Sequence, residues 1–175
     1  AVDIPGFGSD GWPVSLAISD NFAVLAADNF QVFDISSPLS PRQVGLYDAA
    51  DRFGAVAISG DYTYTFARQP NDTTYHLQVL DLSDPFHPQQ VGEYPLGFEP
   101  SWNHVRVAGD YAYAVGERPS NVRGCLQAIN ISEPASPQGM GQFDYELIID
   151  HCYGVALSGD YACLAAGYAG LLIVD

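Results

Sequence analysis

A short apolar strand that closes on an acidic or amide residue occurs four times in this chain, and it constrains the fold more than any other feature. The copies are Phe-Gln-Val-Phe-Asp at 30–34, Leu-Gln-Val-Leu-Asp at 77–81, Leu-Gln-Ala-Ile-Asn at 126–130 and Leu-Leu-Ile-Val-Asp at 171–175. Their closing residues lie 47, 49 and 45 positions apart. Such regular spacing indicates a repeat protein.

A tight-turn motif also occurs once in each repeat, before this strand. It is Ser-Asp-Asn-Phe at 19–22, Ser-Gly-Asp-Tyr at 59–62, Ala-Gly-Asp-Tyr at 108–111 and Ser-Gly-Asp-Tyr at 158–161. Each copy stands between two short alternating apolar runs. Because Gly tolerates a positive φ and Asp bonds nearby backbone groups, Gly-Asp in this setting predicts a two-residue β-hairpin.

A loop with two prolines three positions apart follows three of the four strand copies. The loops occupy 37–41, 84–88 and 133–137, and each leads into a Val-Gly or Met-Gly segment, at 44–47, 91–94 and 140–143. Proline cannot donate a backbone hydrogen bond, so these segments are predicted to be loops outside the central strands. The Val-Gly or Met-Gly segment is then the fourth strand of each unit.

Each unit thus holds four short strands in about 45 residues, without helical periodicity, which is typical of a propeller blade. The predicted fold class is all-β, a β-propeller of four-stranded antiparallel blades with about four blades in this chain. The chain is treated as one domain, with blade cores at about 14–47, 55–94, 105–143 and 155–175 and with residues 1–7 as the closing outer strand.

These three motifs together resemble the LVIVD-repeat proteins, and the resemblance covers essentially all 175 residues. It implies a β-propeller. It also implies a secreted or cell-surface protein, as is common for the bacterial and archaeal members of that family. The resemblance is specific for the repeat and implies no particular activity.

The N-terminal segment has the phase of an outer strand. Ile4 stands 14 residues before Ile18, as Val44 stands 14 residues before Ile58. Propellers avoid an open sheet edge by letting one terminus complete the blade of the other. The first strand therefore completes the last blade of the same chain, completes a blade of a neighbouring chain, or belongs to an arc of a larger or multi-chain propeller.

Charge excludes two classes of partner. The chain has 21 acidic and 6 basic residues, and its net charge of −15 repels nucleic acid and anionic membrane surfaces. No stretch approaches the 18 apolar residues of a membrane span, so we expect no membrane insertion. The chain opens at Ala1, which fits a processed secreted protein or a trimmed sequence. Three cysteines allow at most one disulfide.

Residues that differ between matched blades are the best candidates for a binding site, because the fold does not dictate them. The links that enter the first strand of each blade are expected to gather around the mouth of the central channel. Aromatic rings beside polar groups suit a binding site for a carbohydrate or a peptide. The alternative is a structural role, in which the Trp side chains pack between blades and the His side chains cap strand ends. The candidate ligand-binding residues are Trp12, Arg52, Trp102, His104, Asp150 and His151.

No catalytic motif is present, so the sequence predicts no catalytic residue, no cofactor and no metal site. The repeated residues Asp34, Asp81, Asn130 and Asp175 are predicted to accept backbone N–H groups in the following turns. Asn71, in an Asn-Asp-Thr acceptor pattern, is the candidate glycosylation site.

Two functions follow from these observations. The first is a non-enzymatic extracellular or cell-surface module that binds other proteins or assembles with further copies of itself. The second is a propeller that binds a carbohydrate or a peptide at its channel-mouth face. One form of this hypothesis is that the propeller also hydrolyses the bound ligand. In either case the alternating inner strands should bury, between blades, Leu16, Ile18, Val56, Ile58, Val105, Val107, Val155 and Leu157.

Overall fold

The structure is a computed structural model that describes residues 15–48, 52–68, 74–97, 101–118, 123–146 and 152–175. The first two blades contain eight strands: β1 (Ser15–Ser19), β2 (Phe22–Ala26), β3 (Phe30–Asp34), β4 (Arg42–Tyr47), β5 (Arg52–Ser59), β6 (Tyr62–Arg68), β7 (Tyr75–Asp81) and β8 (Gln89–Gly97). The next two contain β9 (Ser101–Ala108), β10 (Tyr111–Arg118), β11 (Arg123–Asn130), β12 (Gln138–Glu146), β13 (Gly154–Ser158), β14 (Tyr161–Ala165) and β15 (Leu171–Val174). A 3-10 turn, Gly167–Ala169, joins the last two strands.

Each blade is an antiparallel meander whose strands pair in chain order. Blades 1 to 3 have four strands each, and blade 4 has three within the described residues. The fold is therefore all-β with four blades, as the repeats predicted. The predicted hairpins are confirmed, since Gly60, Gly109 and Gly159 have φ of 58°, 53° and 58°, and Asp20 takes the same conformation in blade 1 with φ of 50°.

A β-bulge recurs between the third and fourth strands of blades 1 to 3. The register shifts after Val32, Val79 and Ala128, which pair with Gly45, Gly92 and Gly141 respectively. These three glycines are the ones in the Val-Gly or Met-Gly motif of the sequence. The bulge places a residue without a side chain at one equivalent position in each outer strand.

The blades lie side by side, with the inner strands β1, β5, β9 and β13 adjacent in that order. Apolar side chains fill the space between successive blades in three clusters. Between blades 1 and 2 the cluster includes Val24, Phe30, Val32, Val56 and Leu80. Between blades 2 and 3 it includes Tyr64, Leu77, Val79, Val105 and Ile129. Between blades 3 and 4 it includes Val115, Leu126, Cys152, Val155 and Leu164.

The predicted core is confirmed for three of the four inner strands. Val56, Val105 and Val155 are buried, while Ile58, Val107 and Leu157 are half-buried and pack against the clusters. The prediction was wrong for Leu16 and Ile18, which are 58% and 60% exposed. They lie on the face of blade 1 that points away from blade 2, where no blade within the described residues covers them.

The blades that the structure describes do not form a closed ring. Within the described ranges, β13 and β1 do not pack against each other as the other neighbouring inner strands do. The predicted closing strand at residues 1–7 lies outside the described residues, so its pairing stays a prediction. Cys125, Cys152 and Cys163 carry thiols and form no disulfide. No helix in the described part of the chain has the length and apolarity needed to cross a membrane.

Candidate functional site

Only part of the predicted channel-mouth site can be located. Trp12, Asp150 and His151 lie outside the described residues, as does the predicted glycosylation site Asn71. Arg52 is the first residue of β5, but its side chain is not described. Trp102 and His104, both in β9, are the two candidates with described side chains.

A bulge in β9 turns Trp102 and His104 to opposite faces of blade 3. Trp102 pairs with Gly116, and His104 pairs with the adjacent residue Val115. Residues directly opposite on paired strands share a face, and adjacent residues on one strand point to opposite faces. Asn103 is the extra residue that breaks the alternation. The two candidate side chains are therefore not brought together.

Trp102 lies in the apolar cluster between blades 2 and 3. Its ring centroid is 5.9 Å from that of Phe66, with an angle of 45° between the planes. The side chain is buried, and its Nε1 has no hydrogen-bond partner among the described residues. A buried indole between two sheets stabilises the blade interface through its apolar area, as the packing alternative anticipated.

His104 faces blade 4 and is half-buried. Burial lowers the pKa of His104, and the positive charge of Arg106 lowers it further. The ring is therefore neutral near pH 7. Beside it, the Asn103 side-chain amide donates to the carbonyl oxygen of Cys152, at 3.3 Å, and so links blade 3 to the entry of blade 4. Because Trp102 and His104 lie on opposite faces of blade 3, the six candidates do not all converge on one ligand. A shared site formed by Trp12, Arg52, Asp150 and His151 stays a prediction.

Three of the four residues that close the repeated strand have the structural role predicted for them. Asp34, Asp81 and Asn130 each accept, at Oδ1, the backbone N–H of the Ser two positions later, at 2.9, 2.7 and 2.9 Å. The hydrogen bonds from Ser36 lower the pKa of Asp34 most, and Arg42 adds to the effect. These side chains order the start of the proline loops.

Two exposed apolar faces at the ends of the array were missed by the sequence analysis. We call the side of a blade that points to the preceding blade its upstream face, and the opposite side its downstream face. The upstream face of blade 1 exposes Leu16 and Ile18. The downstream face of blade 4 exposes Leu171 and Ile173, at 67% and 63%. In β13 to β15 exposed side chains alternate with side chains on the upstream face, and those on the upstream face are buried or half-buried.

The exposed residues of the two end faces have equivalents in the inner blades, and those equivalents are buried. Val32 and Val79, at the position of Ile173 in the repeat, are fully buried by the following blade. Val56, at the position of Leu16, is buried by the preceding blade. The two end faces are therefore the two halves of an interblade interface. Sequence periodicity identified the side chains, but it carries no information on whether a neighbouring blade is present.

A groove lies between blades 3 and 4, close to the downstream face of blade 4. It has a volume of about 650 Å³, and we call it the blade 3–4 groove. A space at the corresponding place between blades 1 and 2 has a volume of about 210 Å³, and Leu82, Ser83 and Pro85 of the proline loop are among the residues that line it. Residues that line the blade 3–4 groove include Tyr111, Tyr113, Gly141, Phe143, Asp160 and Tyr161.

Comparison with known families agrees with the repeat pattern. The LVIVD repeat model matches four times, over residues 10–49, 54–95, 102–145 and 151–175. A comparison with curated proteins found no match. The sequence similarity that the family model shows is to the repeat, over all four units.

Solved structures of similar fold include the computationally designed Ika4 protein, with a TM-score of 0.68, 14% identity, and coverage of 99% of this chain and 95% of that one. A functionally unknown protein from Desulfotomaculum acetoxidans matches with a TM-score of 0.68, 15% identity, and coverage of 92% and 54%. The β-propeller domain of Nup133 from Vanderwaltozyma polyspora matches with a TM-score of 0.57, 12% identity, and coverage of 97% and 57%. The chain spans about half of the last two. At these identities the likeness shows the propeller fold alone.

Proposed function

Since this chain belongs to the LVIVD-repeat family, we propose that it is a non-enzymatic structural and interaction module that assembles with further copies of itself or binds related proteins. The proposal places it outside the cell or at the cell surface. The observation that carries it is the pair of exposed apolar end faces. Both faces have the residue pattern of an interface that the same repeat forms three times within the chain.

The energetics favour covering these faces. Fully burying a Leu or Ile side chain stabilises by about 1.5–3 kcal/mol relative to leaving it in water. Four such side chains, Leu16, Ile18, Leu171 and Ile173, are more than half exposed. Contiguous apolar patches on a protein surface commonly mark interaction sites.

A second copy of this chain is the partner that fits both faces at once. The downstream face of blade 4 in one copy is equivalent to the faces that already pack on the upstream sides of blades 2, 3 and 4. Head-to-tail stacking of blade 4 on blade 1 of the next copy repeats that contact. Two copies that stack reciprocally close a ring, whereas stacking that does not close extends into a filament.

The proposed location outside the cell rests on the family resemblance, and the net charge bears on solubility. A net charge of −15 keeps a protein with apolar end faces soluble until a specific partner covers them. Protease treatment of intact source cells tests the location: an external protein is degraded while cytoplasmic markers survive. Protection equal to that of the markers would contradict it.

Light scattering coupled to size-exclusion chromatography tests the assembly. The expected mass is at least twice the chain mass of 18.8 kDa, and the double substitution Leu16→Glu, Ile18→Glu should return the protein to a monomer. Tyr168→Glu is the matched control, since Tyr168 is 80% exposed but lies in the 3-10 turn and not in a strand of either end face. A monomeric parent chain at high concentration would overturn self-assembly.

A further inference from the structure

We propose that the junction between blades 2 and 3 carries a binding site for a small, doubly charged oxyanion of the class of phosphate and sulfate. Four arginines hold the anion: Arg52 and Arg68 of blade 2, and Arg118 and Arg123 of blade 3. The junction is internal to the array, away from both end faces. The site therefore goes beyond the proposed function, which needs no ligand there.

The four arginines form two cross-strand pairs, and the backbone register fixes their positions. Arg52 of β5 lies directly opposite Arg68 of β6, and Arg118 of β10 lies directly opposite Arg123 of β11. Like charges directly opposite each other destabilise a sheet. The chain has only 6 basic residues against 21 acidic ones, yet four of the six are spent in these two pairs. A bound anion would remove the repulsion that the register creates.

Both pairs occupy the faces that blades 2 and 3 turn toward each other. Arg68 stands two positions from Phe66 in β6, and Phe66 belongs to the cluster between these blades. Arg123 stands two positions from Cys125 in β11, and Cys125 belongs to the same cluster. Alternate residues of a strand share a face. Each pair therefore lies on the junction side of its blade, one row beyond the apolar cluster.

The two pairs also lie at the same end of the junction. Phe66 and Trp102 are in contact across it, with ring centroids 5.9 Å apart. Trp102 pairs with Gly116, and Arg118 follows two positions later in β10. Stacked sheets are roughly 10 Å apart, a gap that arginine side chains are long enough to bridge from its two sides. The positions of the four arginines therefore suit one shared ligand.

The described side chains at this place leave a positive charge and an N–H donor without a partner. Arg68 is half-buried, and its Cζ lies 5.5 Å from the centre of the Tyr75 ring. Among the described residues, no carboxylate lies within ion-pair distance of Arg68. One row deeper, the Nε1–H of the buried Trp102 has no acceptor among the described residues. The junction thus has donors to offer a ligand.

Two acidic residues of β12 lie close to the arginines in register. Glu146 is opposite Arg123, and Asp144 is opposite Cys125. Asp144 already accepts a hydrogen bond from the Nε2 of Gln142. The four arginines exceed these two carboxylates by two charges, which a doubly charged anion would balance.

A tetrahedral oxyanion matches these groups chemically. A guanidinium is always charged in proteins and presents its N–H donors in a fixed fork that fits phosphate oxygens. Two pairs on facing sheets supply such donors from two sides. The net charge of −15 repels a long polyanion. The ligand is therefore a small ion, free or carried on a small organic molecule.

Isothermal titration calorimetry on the full chain in a dilute chloride buffer tests the site. Inorganic phosphate and sulfate probe the free ion, and phenyl phosphate probes the same group on an organic carrier. We expect saturable binding of one anion per chain. The double substitution Arg118→Gln, Arg123→Gln should weaken it at least tenfold. Tighter binding of phenyl phosphate than of phosphate identifies an organic carrier, and the reverse order identifies the free ion.

The matched control removes two arginines that lie elsewhere. Arg42 is paired with Asp34, at 3.6 Å. Arg106 lies opposite Tyr113, on the face of blade 3 toward blade 4. The double substitution Arg42→Gln, Arg106→Gln changes the net charge by the same amount, and the affinity should stay within twofold of the parent. The control therefore separates a built site from the field of the whole chain.

Unfolding in urea separates a lost site from a lost fold. A ligand that binds only the folded state stabilises it, so phosphate should raise the urea midpoint of the parent. It should leave the midpoint of Arg118→Gln, Arg123→Gln unchanged.

Three results would overturn the proposal. The first is the absence of saturable binding of all three probes to a chain whose circular dichroism shows folded β-structure. The second is an equal loss of affinity in the two double variants. The third is binding that requires Glu146→Gln, which would mean that Glu146 already neutralises the arginines. Light scattering on the same samples tests the proposed function separately, because end-face assembly does not depend on an anion at this junction.

Discussion

Gly45 of blade 1 lies directly against the carbonyl oxygen of Pro85, which belongs to the loop of blade 2. This contact joins the outer edge of one blade to the proline loop of the next, and it explains why Val-Gly follows the first proline loop. We expect Gly45→Ala to destabilise the protein by about 1–3 kcal/mol, the usual cost of overpacking. Urea unfolding measures it. Nothing lies within 4 Å of a Cβ built on Gly141, the equivalent residue of blade 3, so Gly141→Ala should change the free energy of unfolding by less than about 0.5 kcal/mol. Equal losses of stability in the two variants would contradict a steric cause at Gly45.

The interblade clusters should respond strongly to truncation. Leu77 is fully buried between blades 2 and 3, so Leu77→Ala should lower the free energy of unfolding by about 2–5 kcal/mol. Leu39 is 83% exposed, and Leu39→Ala should change it by less than about 0.5 kcal/mol. Thermal or urea unfolding of the pair checks this. A small effect at Leu77 would show that the blades do not share a packed core.

Glycine in the hairpin turns is required by conformation and not by space. Gly60 has φ of 58°, and nothing lies within 4 Å of an added Cβ. A left-handed conformation costs a residue with a Cβ roughly 1–2 kcal/mol, so Gly60→Ala should destabilise by about that amount. Gly154→Ala, in a strand with equally open space, should leave stability unchanged or slightly raised. The midpoints of urea unfolding measure this difference. If the two variants have the same midpoint, the positive φ of Gly60 is not the reason that glycine is needed there.

His104 should contribute to the acid side of the stability profile. Burial lowers its pKa in the folded chain below the ordinary value of 6.5. Between the lowered pKa and 6.5 the unfolded chain binds more protons, so the free energy of unfolding rises with pH through this window. The contribution is complete above about pH 6.5 and is lost as the pH falls. His104→Gln should flatten this slope in urea unfolding measured from pH 4 to pH 8. An unchanged slope would mean that protonation of His104 does not oppose folding.

Most of the fold was predictable because the repeat presents each strand and turn several times. The positive φ of Gly60, Gly109 and Gly159 follows from the Gly-Asp motif, and the backbone bonds of Asp34 and Asn130 follow from their place at a strand end. Local chemistry of this kind depends on neighbours in the sequence. It can therefore be predicted without knowledge of the tertiary structure.

The candidate site was less predictable because a one-residue β-bulge changed which face of the sheet the neighbouring side chains occupy. Trp102 and His104 were expected to gather with the other candidates at the channel mouth, but the bulge at Asn103 sends their side chains to opposite faces of blade 3. Nothing in the local sequence marks a bulge there. Tertiary packing of Trp102 against Phe66 accompanies it.

What the sequence alone determined is the repeating unit, its order of strands and the side chains that point between blades, because periodicity and turn chemistry are local properties. Only the tertiary structure decided which of those side chains are covered. Val56 and Leu16 occupy the same place in the repeat, yet one is buried and the other is exposed. Burial depends on a neighbouring blade, and within the described residues no blade covers the upstream face of blade 1 or the downstream face of blade 4.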